Sequence, residues 1–288
     1  MRDQAESLRL KMLESVGELA RSIAVVSGKG GVGKSNFSTN FAHALLAQGK
    51  KVIIVDMDIG MGNIHILLGK SPKHSLMDYL VGSEGIDLII NETEEGLDFI
   101  AGGSGLETIM EWSDDTFERL TNAFEYLQRT YDFVIFDMGA GATKRAIELL
   151  IAIDEIIVIS TNEPTSITDA YSMMKFIFMK DPDKSFYLVG NRVSKANGGN
   201  DAVLRLQFAM KKFLQKETTI LGFLPEDTVV QKSVIAQKPY FLTNPNAPIS
   251  KRLVTMTEVF TNFDHKQDDK KKLGFIGTLK NIFARGRD

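Results

Sequence analysis

Residues 28–35 read Gly-Lys-Gly-Gly-Val-Gly-Lys-Ser, a spacing that fits a phosphate-binding loop. Four glycines allow backbone N–H groups to crowd around phosphate oxygens, which a Cβ at those positions would obstruct. Lys34 supplies a point charge for the β- and γ-phosphates of a nucleotide, and the Ser35 hydroxyl is placed to ligate Mg²⁺. The run Gly28, Lys29, Gly30, Gly31, Val32, Gly33, Lys34 and Ser35, with Asn36 next in line, therefore makes a candidate nucleotide site. Lys29 lies too early in the loop to be the ordinary phosphate lysine, so it needs a separate role.

Both flanks of the loop agree with this chemistry. Ser22–Ser27 is a short apolar, β-branched run that reads as a buried strand. Phe37, Phe41, Leu45 and Leu46 recur at helical spacing, and Gly49 supplies a stop. Strand, loop and helix follow in order, so the helix N-terminus points its free N–H groups at the bound phosphate.

Further strand-like runs recur downstream at Val52–Val55, Leu97–Ala101, Phe133–Phe136, Ile156–Ser160, Phe186–Val189 and Thr219–Gly222. Helix-compatible segments separate most of them, at Asp114–Arg129, Ser166–Lys180, Ala202–Gln215, Thr228–Ala236 and Ile249–Phe263. This alternation predicts a three-layer α/β domain with a mostly parallel sheet covered by helices on both faces. In such sheets ligands gather outside the carboxyl ends of the strands. Two of those ends are acidic: Val52–Val55 runs into Asp56-Met57-Asp58, and Phe133–Phe136 into Asp137-Met138-Gly139. Asp137 is suited to holding Mg²⁺ through water, and Asp58 to orienting an attacking water on the γ-phosphate side.

Composition narrows the field. The chain has no cysteine, which excludes disulfides, thiolate metal sites and an iron–sulfur carrier on this fold. Its four histidines show no metal-ligand spacing. The first residues lack a signal-peptide core, and no run approaches the roughly 20 apolar residues of a membrane span; the expected compartment is the cytoplasm. Net charge is −3, but residues 266–288 hold seven Lys or Arg against three Asp, a balance of +4 that leaves the rest at −7. An acidic body argues against nucleic acid as a partner, and a basic tail suggests an anionic surface.

With these residues the chain resembles the MinD/ParA group of P-loop ATPases over about residues 20–263. The resemblance is carried by GKGGVGKS at 28–35, VDMDIGMGN at 55–63, FDMGAG at 136–141, STNEP at 160–164 and LPED at 224–227. It implies the P-loop NTPase fold, hydrolysis of ATP to ADP with Mg²⁺, and a homodimer that sandwiches two ATP molecules. It further implies that Lys29 crosses to the partner's nucleotide, standing where an arginine finger would otherwise be. Lys34 and Asp58 are then catalytic, Ser35 and Asp137 serve the metal, Asn191 reads the adenine edge, and the backbone around Pro225 closes the base pocket. One departure is Gly139, where many relatives have proline.

The two ends divide the group further. Residues 264–288 form a basic linker and an amphipathic segment, in which Phe275, Ile276, Leu279, Ile282 and Phe283 share one helical face and Lys280 lies off it. That pattern reads as a membrane-surface anchor, attaching the protein reversibly to the inner face of the cell membrane. The other fate of such a helix is to dock on its own domain. At the other end, residues 1–20 carry Asp3, Gln4, Ala5, Leu8 and Arg9 in a DQAxxLR pattern. This extension resembles the FlhG branch of the group, also called YlxH or FleN, in which the segment stimulates the SRP-type GTPase FlhF and the protein meets flagellar C-ring proteins. Division-site MinD begins almost directly with its first strand, and a ParA-type DNA-partitioning ATPase fits the acidic body poorly. The expected organisation is 1–20 for partner activation, 21–263 for the ATPase and 264–288 for the membrane.

Overall fold

The computed structural model describes residues 19–58, 62–82, 84–103, 113–139, 144–194, 201–262 and 274–285. Among these residues eight strands form: β1 (Arg21–Val26), β2 (Val52–Met57), β3 (Ile90–Glu92), β4 (Asp98–Ile100), β5 (Phe133–Met138), β6 (Glu155–Ser160), β7 (Ser185–Val193) and β8 (Thr219–Pro225). They make one sheet in the order β3-β4-β2-β5-β1-β6-β7-β8. Every pairing is parallel except β3 with β4 at one edge. β2, β5 and β6 are buried along their whole length, as strands covered on both faces must be.

Successive residues of each strand feed opposite layers. Ala24, Val26, Val134, Phe136, Ile156 and Val158 belong to one core. It is covered by α3 (Leu76–Val81), α4 (Asp114–Thr130), α5 (Lys144–Ala152), α6 (Pro164–Lys180) and α7 (Asp201–Leu214). Ile23, Val25, Ile135, Ile157 and Ile159 belong to the other core, with α1 (Lys34–Leu46), α2 (Ile64–Leu67), α8 (Thr228–Ala236), α9 (Tyr240–Thr243) and α10 (Pro248–Asn262). The three-layer α/β architecture expected from the alternation is thus the one found. β1 lies between β5 and β6, and the chain leaves it by α1 toward β2 on one side, while β5 passes through α5 to β6 on the other. That divergence opens a crevice at the carboxyl end of β1.

The segment expected at a membrane surface lies docked on its own domain in this structure, the other fate open to such a helix. α11 (Phe275–Arg285) packs on α4 and α5, with Phe275 1% exposed and Ile276 and Leu279 also buried. The Phe275 ring lies 5.6 Å from Phe124 of α4 and 5.5 Å from Phe136 of β5. Ile282 packs partly on the same core, while the side chain of Phe283 lies outside the described residues. Apolar side chains spaced for a lipid surface suit a protein groove equally well, and the two uses exclude each other at any one time. Among the described residues no helix is long and apolar enough to cross a membrane.

Candidate active site

The loop between β1 and α1 is shaped by contacts that the glycines permit. A Cβ on Gly28 would fall 2.1 and 2.2 Å from the Asp169 and Ala170 backbone of α6, so only glycine lets loop and helix touch. Gly33, which precedes α1, has φ of 98°, a left-handed conformation that favours glycine. The Ser27 hydroxyl donates to the Lys29 carbonyl at 2.7 Å and fixes the first turn of the loop. Lys34 begins α1 and is buried.

Ser35 and Asp137 meet, as the strand-end argument requires. Asp137 lies in the fully buried β5 and accepts a hydrogen bond from the Ser38 hydroxyl at 2.8 Å, with Ser35 near enough to help hold its carboxyl down. Burial pushes its carboxyl up to about 7; the neighbouring Asp56 charge adds to this, while the two serines and Lys34 oppose it. Its second oxygen, Oδ2, is buried without a hydrogen-bond partner. A buried acceptor left unmet beside a lysine and a serine hydroxyl fits the second coordination sphere of a divalent cation. Among the described residues no group of three His, Asp or Glu forms a self-sufficient metal cage, so Mg²⁺ would be held here by Ser35, phosphate oxygens and water, as Mg²⁺ usually is.

Asp58 is half-buried just past β2. Its position is set by Asp56, a residue the sequence reading passed over. Asp56 Oδ1 accepts the Asp58 N–H at 3.0 Å and Oδ2 accepts the Ile64 N–H at 3.2 Å, so one carboxylate holds both ends of the segment between β2 and α2. Burial raises Asp56 to about 6, against the pull of those N–H groups. Asp56 is in register with Asp137 across β2 and β5, and a Cβ on Gly139 would come within 3.1 Å of Asp58 Oδ1. Gly139, the departure from the relatives' proline, thus stands directly beside the carboxylate assigned to water.

The residues expected around a base lie together. Asn36, Asn191 and Pro225 line one cleft of about 490 Å³ together with Gly33, Phe37 and Arg192. The Asn191 amide donates to the Val32 carbonyl at 2.7 Å and the Arg192 guanidinium to the Gly31 carbonyl at 2.9 Å. Arg192 has φ of 54°, rare for a residue with a Cβ, and nothing in residue type alone pointed to it. Lys29 stands apart from this cluster: its Nζ lies 2.7 Å from Glu163 Oε2 and 3.5 Å from the Thr165 hydroxyl. Asp3, Gln4, Ala5, Leu8 and Arg9 lie outside the described residues.

Fold and site together define a P-loop nucleotide hydrolase with its chemistry at the strand ends around β1, β2 and β5. A family model described as an AAA domain matches residues 20–181, more than half of the chain. The chain belongs to that family and is an ATPase of the MinD/ParA group. It is similar to the antiactivator FleN of Pseudomonas aeruginosa, 30% identical over 228 residues that cover 79% of this chain and 81% of that protein. It is also similar to the flagellum site-determining protein YlxH of Helicobacter pylori, 33% identical and covering 78% of this chain and 76% of that protein. Among solved structures, the septum site-determining protein MinD of Pyrococcus horikoshii, complexed with Mg-ADP, superposes with a TM-score of 0.71 at 23% identity, over 87% of this chain and 100% of that one.

Proposed function

We propose that this ATPase is a nucleotide-switched regulator of flagellar number or placement. In this reading it dimerises on Mg-ATP, attaches reversibly to the inner face of the cell membrane, and works through the SRP-type GTPase FlhF and flagellar C-ring proteins. The observation that carries the reading is the pair of relatives above, one an antiactivator and one a flagellum site-determining protein, each matched over more than three quarters of its length. Both names describe regulators, and a P-loop ATPase regulates by holding different contacts in its ATP and ADP states.

The residues fit that cycle. Lys34 and the loop N–H groups neutralise the β- and γ-phosphates; Ser35 and Asp137 serve Mg²⁺, which supplies charge neutralisation of the transferring phosphoryl group; Asp58 orients the attacking water. Asn36, Asn191 and Pro225 form the walls for the base. Lys29 is surplus to one nucleotide, and its role is to reach the nucleotide of the second subunit. For the membrane step α11 must leave its groove. Burying Phe275, Ile276 and Leu279 is worth about 6 kcal/mol gross at about 2 each, the same order as the cost of ordering a short helix, so undocking is not prohibitive. α5 follows Asp137 closely in the chain and is one wall of that groove, so a change on the γ-phosphate side of Asp137 has a short path along the chain to α11.

Exposed Phe176 and Met179 on α6 and Phe208 and Phe213 on α7 add an apolar surface for a protein partner. Lys212 lies 5.3 and 5.6 Å from the two α7 rings.

Three substitutions test the cycle. Lys29→Ala should keep ADP but lose ATP-dependent dimerisation and hydrolysis, whereas Lys34→Ala should lose nucleotide affinity itself. Asp58→Ala should dimerise and turn over on the order of a hundredfold or more slowly, because a water-positioning group is gone. ADP titration separates the two lysine variants, light scattering after size-exclusion chromatography reads their dimerisation, and single-turnover hydrolysis reads the third. ATP-induced dimers of the Lys29 variant equal to wild type would remove the trans role.

A further inference from the structure

The loop lysine is not idle in the single subunit. Its ammonium forms an ion pair with Glu163 at 2.7 Å, with the side chains 45% and 53% exposed. We propose that Glu163 is a latch that holds Lys29 within its own subunit and sets the threshold for ATP-dependent dimerisation. The inference rests on the trans role given to Lys29 above.

Two observations make this more than a chance meeting of surface charges. First, Glu163 has a fixed place relative to the loop. It directly precedes Pro164, which opens α6 with the ring-locked φ suited to a first helical position, and α6 touches the loop backbone at Gly28 so closely that no Cβ fits. The carboxylate is therefore carried on an element in rigid contact with the loop that carries the lysine. Second, Lys29 has a second acceptor from the same turn, the Thr165 hydroxyl at 3.5 Å, so the ammonium is turned toward α6.

The chemistry of release follows. An ammonium engaged by a carboxylate is not free to neutralise phosphate oxygens of a second nucleotide, and the carboxylate itself repels those oxygens. A triphosphate carries several negative charges against one on Glu163, so ATP across the interface wins the lysine, while ADP, lacking the γ-phosphate, competes less well. An exposed pair shifts an equilibrium by at most about fivefold. Two latches open per dimer, so their effects multiply to at most about 25-fold, which tunes assembly without forbidding it. The effect must also fade as salt screens the pair.

Glu163→Gln in the full chain tests this, because it keeps size and removes charge at an exposed position. Sedimentation velocity with Mg²⁺ and a non-hydrolysable ATP analogue should give a dimer Kd severalfold and up to about 25-fold below wild type at low salt, with the gap closing as salt rises. In the nucleotide-free monomer, acylation of Lys29 followed by peptide mass spectrometry should be faster in the variant, since the amine is no longer paired. An unchanged Kd, or unchanged Lys29 reactivity, would overturn the latch. A weaker dimer would overturn it too, by showing that Glu163 itself contacts the second subunit. Wild-type-like dimers of Lys29→Ala would remove the trans role and the latch with it, a result distinct from any outcome of the Glu163 variant.

Discussion

Asp137 has no exposed surface and one oxygen without a partner, and this has a consequence for stability that is independent of turnover. Its folded carboxyl holds a proton up to about 7, against an ordinary value of 3.8. Below both values the folded and unfolded chains are equally protonated there, and the group contributes nothing. As pH rises between them the unfolded chain releases its proton while the folded chain retains it, so stability is lost across that interval. Asp137→Asn should therefore raise the melting temperature of the nucleotide-free protein near neutral pH and leave it unchanged near pH 4, with about 2–4 °C gained per kcal/mol relieved. Added Mg-ADP should then stabilise wild type more than the variant, since the carboxylate has a use only when the cation is present. Thermal melts at two pH values check both halves; equal melting temperatures for the two proteins at neutral pH would mean that Asp137 is not under strain.

At the scale of elements, α11 carries the prediction. Deleting residues 273–288 uncovers the Phe124 and Phe136 rings, and the nucleotide-free protein should melt several degrees lower. Co-sedimentation with anionic vesicles should require ATP, weaken with salt, and vanish in the deletion, because two tails on one dimer make the second insertion intramolecular. Amide exchange across Phe275–Arg285 should be faster with an ATP analogue than with ADP; equal protection would mean that the groove does not respond to nucleotide. The sheet and its flanking helices were legible from sequence because long apolar runs and 3.6-residue spacing leave strong signals. β4 falls within the run Leu97–Ala101 that reads as a strand, but its antiparallel neighbour β3 was not legible, since three residues leave no period. The nine-residue α5, close behind the acidic end of β5, is too short to show a clear helical period and was not legible either. Spacing alone placed the α11 side chains on one face without saying what covers it. In the site, Lys34, Ser35, Asp58 and Asp137 follow from motif chemistry. Asp56, Glu163 and Arg192 act through backbone caps and contacts between distant segments, which exist only once the chain has folded.

At the scale of the whole molecule, the acidic ATPase body lies between two short ends of different character, and the proposal for the N-terminal one separates a flagellar from a division role by experiment. If residues 1–20 activate a partner GTPase, the contacts belong to a short segment in which Ala5, Leu8, Met12, Val16 and Leu19 recur at helical spacing in the sequence. A peptide of those residues should then accelerate GTP hydrolysis by FlhF without the rest of the protein. In that case Gln4 would be the side chain to reach the GTPase site, because a neutral amide both accepts from and donates to an attacking water, with Leu8 and Arg9 as its anchors. Gln4→Ala should reduce the stimulation about a hundredfold, the lower range for a catalytic positioning group, and leave ATP hydrolysis and vesicle binding unchanged, since those depend on the loop and on α11. GTP turnover measured with peptide, full-length protein and the variant separates the possibilities. Stimulation by the full chain but not by the peptide would move the activating surface onto the ATPase domain, where the exposed α6 and α7 side chains become the next candidates. No stimulation by either would remove FlhF as the partner and return the division-site reading.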